Sequence, residues 1–314
     1  MKNKTYILVT GGAGNVGSAL VERLLEDDNN FVVVVDNLIT GSKAKLPKAL
    51  NDNLKFIQCD VNHEEEITSV FHTFPFDYVF HYAALVGVKR TLKNPVSVLN
   101  DIDGIKNVLN LSKNTGVKRI IYSSSSEVYG EPVESPQNEK TTPLNSRLPY
   151  AIVKNIGEAF LKSYHQEFGL DYTIFRFFNT YGPKQAKDFV VSKFINSALN
   201  NKDITIYGDG SQTRTFCYID NNINASVAAA FNDSGINKTI NIGNNIETSV
   251  LELAKIIVRL TDSKSNIVHL PALKDGDMTR RKPDITIMKS LVNQEIYSIE
   301  KGLKKVLKNT SFIT

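Results

Sequence analysis

Tyr150 and Lys154 stand four residues apart, one helical turn, which sets both side chains on the same helix face. A Tyr hydroxyl, with a reference pKa of about 10, is a poor base at neutral pH. A positive charge at about 4 Å, in an effective dielectric of about 20, contributes roughly 4 kcal/mol, or about three pKa units. Lys154 can supply that charge, so Tyr150 can take the proton of an alcohol while the adjacent carbon gives up hydride. Ser125, from the cluster Ser123-Ser-Ser-Ser-Glu-Val-Tyr-Gly130, would hydrogen-bond the same oxygen. Tyr297 and Lys301 share the spacing and read as surface residues of a final helix; Tyr150 differs in coming after a hydroxyl cluster at a strand end.

Hydride needs an acceptor, and the N-terminus supplies a place for one. Tyr6–Thr10 is a short apolar run suited to a buried strand, and a helical period begins at Ser18. Between them lie Gly11, Gly14 and Gly17, with Asn15 and Val16 in the loop. A strand turning on glycine into a helix gathers unpaired N–H groups and the positive end of the helix dipole where a pyrophosphate can sit. The β-branched run Phe31–Val35 ends in Asp36, with Asn37 next to it, about twenty residues past the loop. A carboxylate there accepts from the adenosine ribose hydroxyls and repels a 2′-phosphate, so NAD is expected rather than NADP. Asp60 and Val61 end a third strand, where adenine would lie, and the small Ala83 and Ala84 end a fourth, where backbone can approach the cofactor.

These sites need a parallel sheet, and the pattern provides one. Strands are expected at 6–10, 31–35, 54–59, 77–80, 119–122 and 172–178, alternating with helices, which is the arrangement of a parallel α/β sheet with right-handed crossovers. A capping box at Asn62 and Glu65 is expected to start one helix, and Asn94-Pro95 a long one ending at Gly116. A weak helix is expected near 43–50. Beyond residue 180 the alternation breaks. The expected fold class is α/β, a doubly wound parallel (Rossmann) sheet with a smaller, interleaved C-terminal substrate-binding region. Its expected division is 1–180, with parts of 215–245 returning to it, and 181–314.

Composition agrees with an enzyme of small molecules. The chain is 41% apolar and 22% charged, with net charge +4 and no basic blocks, which favours an anionic small substrate over nucleic acid. Cys59 and Cys217 are the only thiols, and the five His are scattered, so neither a disulfide scaffold nor a metal site is expected. With no signal peptide or membrane-length apolar run in view, the expected location is cytoplasmic.

Taken together, these residues resemble the extended short-chain dehydrogenases/reductases that modify nucleotide sugars: 4-epimerases, 4,6-dehydratases, UDP-glucuronate decarboxylases and 4-dehydrogenases. The likeness runs over essentially the whole chain. It implies that Ser125, Tyr150 and Lys154 are the catalytic triad, with Glu127 beside them. The segment Arg176-Phe-Phe-Asn-Thr-Tyr-Gly-Pro183 resembles one whose Asn, here Asn179, binds the substrate diphosphate; Gly210-Ser-Gln-Thr-Arg-Thr-Phe216 brings Arg214 to the phosphates, and Arg280 resembles a second phosphate-binding Arg. Lys89 and Ser126 complete the implied substrate contacts. The resemblance also implies NAD as cofactor and a homodimer formed through helices near 95–115 and 150–168. In one departure, the family usually has Asn three residues before Gly104, and this chain has Asp101.

The branch shares oxidation at C4 of the sugar, and its members differ in the fate of the resulting ketone. Dehydratases often carry an Asp–Glu pair after the catalytic hydroxyl, whereas this chain has Ser126 and Glu127. A decarboxylase chiefly needs to orient the carboxylate, because a C4 ketone makes the C6 carboxylate a β-keto acid. An epimerase or dehydrogenase needs no acid–base group beyond the triad. The expected outcome is 4-dehydrogenase or 4-epimerase in surface-polysaccharide (capsule) precursor synthesis, with a faint likeness to GDP-heptose 4-dehydrogenases; UDP-glucuronate decarboxylase is the alternative, then dehydratase. A reading of another class is a non-catalytic NAD sensor, which the intact triad disfavours.

Overall fold

Seven strands form the central sheet. The computed structural model describes residues 4–47, 52–272 and 280–313, and the side chains of Val88 and Lys89 fall outside that description. The strands are β1 (Thr5–Thr10), β2 (Asn30–Asp36), β3 (Leu54–Gln58), β4 (Tyr78–His81), β5 (Arg119–Ser125), β6 (Asp171–Phe177) and the edge strand β11 (Lys238–Ile242). Across the sheet they run in the order β11-β6-β5-β4-β1-β2-β3. The pairings of β1 to β6 are all parallel. Val32 to Val35 of β2 are fully buried, as strands covered on both faces must be.

Helices cover those faces: α1 (Asn15–Leu24), α2 (Glu64–Thr73), α4 (Pro95–Leu99), α5 (Asp101–Thr115), α6 (Pro149–Phe168) and the later part of α8 (Ile219–Phe231), with the short α3 (Val88–Lys93) leading into α4. Alternation sends Leu8, Val33, Val35 and Val79 into one core with Ile67, Phe71, Val108 and Leu161 of α2, α5 and α6. The opposite face meets α1 and α8: a Cβ on Gly12 would lie 2.7 Å from Val34 Cγ1, and Phe231 packs edge-on against Tyr78 at 4.9 Å.

By internal contacts the chain divides into two units. The first is 1–128, 146–177 and 223–240; the second is 129–145, 178–222 and 241–314. The second is built from β7 (Thr180–Tyr181), α7 (Val190–Leu199), β8 (Ile204–Tyr207), β9 (Thr213–Thr215), β10 (Cys217–Tyr218), β12 (Glu247–Ser249), α9 (Val250–Leu260), β13 (Ile267–Leu270), α10 (Thr286–Leu291) and α11 (Ile299–Val306). Its strands pair two by two, β10 with β7, β12 with β9 and β13 with β8.

Four local expectations are corrected. The Asn62–Glu65 capping box does not form: His63 caps α2 without a side-chain bond, and Asn62 Oδ1 accepts the N–H of Gly104 at 3.1 Å. Asn62 is drawn away because the first turn of α5 has N–H groups of its own to satisfy. The long helix after Asn94-Pro95 is split at Asn100 into α4 and α5, although Gly116 closes it in the left-handed conformation (φ 77°). The helix near 43–50 is a 3₁₀ turn over Lys43–Lys45; residues 48–50 lie outside the described ones. Tyr297 precedes the last helix, its ring stacked 5.7 Å from that of Tyr218, so it is no surface residue of α11.

Candidate active site

The first unit carries the elements of a dinucleotide cradle. Gly11 takes φ +67°, and a Cβ there would lie 2.7 Å from the backbone N of Ala83; one on Gly17 would lie 2.3 Å from Gly11 O. Both glycines are thus required by close backbone approach. Gly14 caps α1 with no side-chain bond, and no acidic residue stands in the first turn, which includes Asn15, Val16 and Gly17. The features that would compete with a pyrophosphate at a helix N-terminus are therefore missing there. Thr10 Oγ1 accepts N–H bonds from Tyr82 and Ala83, both at 3.1 Å, and is hydrogen-bonded to Nδ1 of His81 at 2.9 Å. Burial, then the charge of Lys154, pushes His81 down to about 3, so it is neutral.

Asp36, at the end of β2, accepts from Ala13 N at 3.0 Å and Leu38 N at 2.8 Å. Burial raises its pKa; the two N–H bonds and the charge of Lys45 oppose that rise. Asn37 donates to Asp60 Oδ2 at 2.9 Å, joining the ends of β2 and β3. Val61 is buried and backs Gly104, whose added Cβ would lie 2.9 Å from Val61 Cγ2. Ala84 is half-buried beside Ala83. The chain thus offers what a dinucleotide requires: a glycine turn, an uncapped helix start and a carboxylate one strand away.

Ser125 ends β5, and its Oγ accepts the N–H of Glu127 at 3.2 Å, which opens the 3₁₀ turn Ser126–Tyr129. Ser126 is 2% exposed. Pro149 begins α6 with its fixed φ, placing Tyr150 in the first turn and Lys154 one turn on. Lys154 is 3% exposed, with Nζ 5.8 Å from the Tyr150 ring centre and 4.9 Å from that of Tyr122. Burial pushes Lys154 down to about 8, and the charge of Asp101 pulls the other way. Lys154 is therefore still cationic at neutral pH. Asp101 Oδ2 accepts the N–H of Leu85 at 2.7 Å, and Asn62 donates to the same side chain.

A buried network that the sequence reading missed fixes α6 on the sheet. Glu158 Oε1 accepts from Ser124 Oγ at 2.6 Å and Arg176 Nε at 2.9 Å; Oε2 meets Arg176 Nη2 at 2.6 Å. Glu158 lies one turn beyond Lys154, the i, i+4 signal that could have pointed to it.

In the second unit, Asn179 (φ 25°) donates from Nδ2 to Thr215 O at 3.1 Å, so its amide supports β9. Arg214 donates from Nη1 to Thr213 O at 2.7 Å. Arg280 pairs side-on with Glu247 at 2.6 and 2.7 Å, and Lys282 joins at 3.3 Å. The β12–β9 register sets Glu247 opposite Thr215 and Thr248 opposite Arg214, so Glu247 and Arg214 occupy opposite faces of that pair. The structure therefore groups Asn179 with β9, and Arg280 with Glu247. The Lys89 side chain lies outside the described residues.

A doubly wound parallel sheet with a glycine turn, a carboxylate at the end of β2, a Ser at the end of β5 and a Tyr and Lys one turn apart at the start of α6 defines a nicotinamide-dependent oxidoreductase fold of the short-chain dehydrogenase/reductase class. The chain belongs to the NAD dependent epimerase/dehydratase family, whose sequence profile matches residues 7–243. It is 36% identical to a UDP-N-acetyl-alpha-D-glucosaminuronate decarboxylase of Bacillus cytotoxicus, covering 97% of each chain. It is also 36% identical to UDP-glucuronic acid decarboxylase 1 of Danio rerio, over 98% of this chain and 72% of that one. The UDP-glucose 4-epimerase of Thermotoga maritima, solved with UDP-glucose, superposes with a TM-score of 0.91 at 34% identity, over 97% of this chain and 98% of that one. NAD is the cofactor of this family. Among the described residues no helix is long and apolar enough to cross a membrane, and no His, Cys, Asp and Glu cluster could hold a metal ion.

Proposed function

We propose that the chain decarboxylates a UDP-hexuronate, of the UDP-glucuronate or UDP-N-acetylglucosaminuronate type. The observation that carries this reading is the similarity to two such decarboxylases along nearly all of this chain. It replaces 4-dehydrogenation or 4-epimerisation, which the sequence alone favoured, as the leading reading. The catalytic loop supports it: one carboxylate, Glu127, comes after Ser125-Ser126, where dehydration would call for two acid–base groups.

Gly11, Gly14, Asn15, Val16 and Gly17 would hold the pyrophosphate of NAD, Asp36 and Asn37 its adenosine ribose, and Asp60, Val61, Ala83 and Ala84 would line the rest. When bound, NAD supplies the acceptor for hydride leaving sugar C4. Ser125 holds the C4 oxygen, and Tyr150 takes its proton, with Lys154 supplying the charge that favours tyrosinate. A ketone at C4 makes the C6 carboxyl a β-keto acid, so the C5–C6 bond breaks to carbon dioxide and an enolate whose charge resides on that same oxygen. The Ser125 and Tyr150 hydroxyls stabilise it. C5 then takes a proton from water, C4 is reduced again while Tyr150 returns the proton to its oxygen, and a UDP-pentose is released. Asn179, Arg214 and Arg280, with Lys89 and Ser126, would bind the diphosphate and sugar.

A second reading, 4-epimerase, is favoured by the likeness to the Thermotoga enzyme and by a triad that suffices for it. The test incubates purified protein and NAD with UDP-glucuronate, UDP-N-acetylglucosaminuronate, UDP-glucose, a dTDP-sugar and a GDP-heptose, monitoring product mass. Loss of carbon dioxide from a hexuronate, abolished in Tyr150→Phe, is expected. An isomer of unchanged mass would replace the proposal with epimerase, loss of water with dehydratase, and loss of two hydrogens with 4-dehydrogenase. No turnover of any sugar, with NAD bound, would revive the sensor.

A further inference from the structure

Glu247 has no role in the chemistry above, yet it gathers two cations, Arg280 and Lys282. Its side chain is 19% exposed, and its oxygens meet Arg280 through Nε at 2.6 Å and Nη2 at 2.7 Å. Lys282 Nζ lies 3.3 Å away, and Thr213 Oγ1 donates to Oε1 at 3.1 Å, tying the cluster to the strand that bears Arg214. These partners, Arg280 foremost, hold the carboxyl down to about 2, so it is ionised throughout the working range. The backbone under the cations is fixed as well. Gln137 N donates to Lys282 O at 2.7 Å, and Asp284 N to Gln137 O at 2.8 Å.

The geometry of the pair is informative. A side-on carboxylate uses the Nε hydrogen and one Nη2 hydrogen of a guanidinium. Both Nη1 hydrogens and the second Nη2 hydrogen are left as an end-on fork, for which the described residues show no partner. That fork has the shape for two oxygens of a phosphate. Two cations against one carboxylate also leave the cluster with net charge +1.

We propose that Glu247 is a positioning residue that holds Arg280 side-on, so that the guanidinium's outer edge receives the diphosphate of the nucleotide sugar. This rests on the reading of Arg280 as a diphosphate ligand. Electrostatics and positioning then predict opposite signs. By Coulomb's law alone, removing a carboxylate beside the site would tighten anion binding. Freeing a long, flexible Arg weakens it, because its ordering must then be paid at each binding event.

The experiment titrates UDP and, separately, NAD into the full chain by calorimetry, for wild type, Glu247→Gln, Glu247→Asp and Arg280→Gln. Glu247→Gln is expected to weaken UDP binding about tenfold, with NAD affinity unchanged, and to raise KM for the sugar nucleotide while kcat stays close to wild type. Glu247→Asp keeps the charge but sets it back by one methylene, and should fall between. UDP binding that is unchanged or tighter in Glu247→Gln, while Arg280→Gln weakens it, overturns the positioning role and leaves Arg280 as a ligand. No effect in Arg280→Gln overturns the underlying reading too. A parallel loss of NAD affinity in both Glu247 variants would mean a general structural role and also overturns the proposal.

Discussion

Lys154 is a cation that burial makes easy to lose. At 3% exposure it has been pushed from the usual Lys value down to about 8, and Asp101 is the charge that limits the fall. The other titratable groups around it are His81, held neutral by burial, the buried Tyr122, and Tyr150. A group whose charged form is needed, with a lowered pKa, carries activity below that pKa and loses it as pH rises through it. The alkaline limb of kcat/KM should therefore fall near pH 8. Asp101→Asn retains an oxygen for the N–H of Leu85 but removes the negative charge, so Lys154 loses its proton at lower pH and the limb moves acidward. A pH profile of the two proteins checks this; an unmoved limb would mean that Lys154 does not feel Asp101. The family's usual Asn at this place carries no such charge, so the shift would be a property of this chain.

At the scale of elements, the placing of Ser125, Tyr150 and Lys154 depends on how α6 sits on β5 and β6. Glu158 and Arg176, at 1% and 2% exposure, make that attachment together with Ser124, the neighbour of Ser125. Glu158→Gln removes the carboxylate that faces the buried Arg176 guanidinium. Losing one partner of such a pair costs about 3–5 kcal/mol. Denaturant unfolding should show that loss, and kcat should fall with it although Glu158 touches no substrate; an unchanged midpoint would mean that water or other groups compensate. Elements whose cause is local were legible in the sequence. The glycine turn, the β-branched β2, the Pro149 start of α6 and the Gly116 stop all arise from a few adjacent residues. Asn62 was misread because its partner, Gly104, lies 42 residues away, and a capping motif cannot show competition from another helix. Glu247 was invisible for the same reason: neighbouring sequence does not tell a strand-edge carboxylate that its partners are 33 residues onward.

At the scale of the whole molecule, the deciding quantity is the redox balance of a complete cycle. The sequence could name the branch because the glycine turn, the serine cluster and the Tyr150–Lys154 spacing are each written in a few neighbouring residues. It could not name the outcome, because decarboxylase, epimerase and dehydrogenase share those motifs and differ in what happens to the C4 ketone. Decarboxylation and epimerisation oxidise C4 and then reduce it, so neither consumes NAD. A 4-dehydrogenase stops after the first half and needs one NAD for each sugar. Enzyme supplied with NAD at its own concentration, and with a large excess of UDP-glucuronate or UDP-N-acetylglucosaminuronate, should therefore convert the excess. NADH absorbance should never exceed the amount of enzyme, and carbon dioxide should match the sugar consumed. If turnover halts after one equivalent, with NADH accumulated and a 4-keto uronate in solution, C4 is not being reduced again and the dehydrogenase reading takes its place. If both NADH and a keto-pentose are released, the carboxyl group has left but the return step fails, and the site oxidises and decarboxylates without closing the cycle.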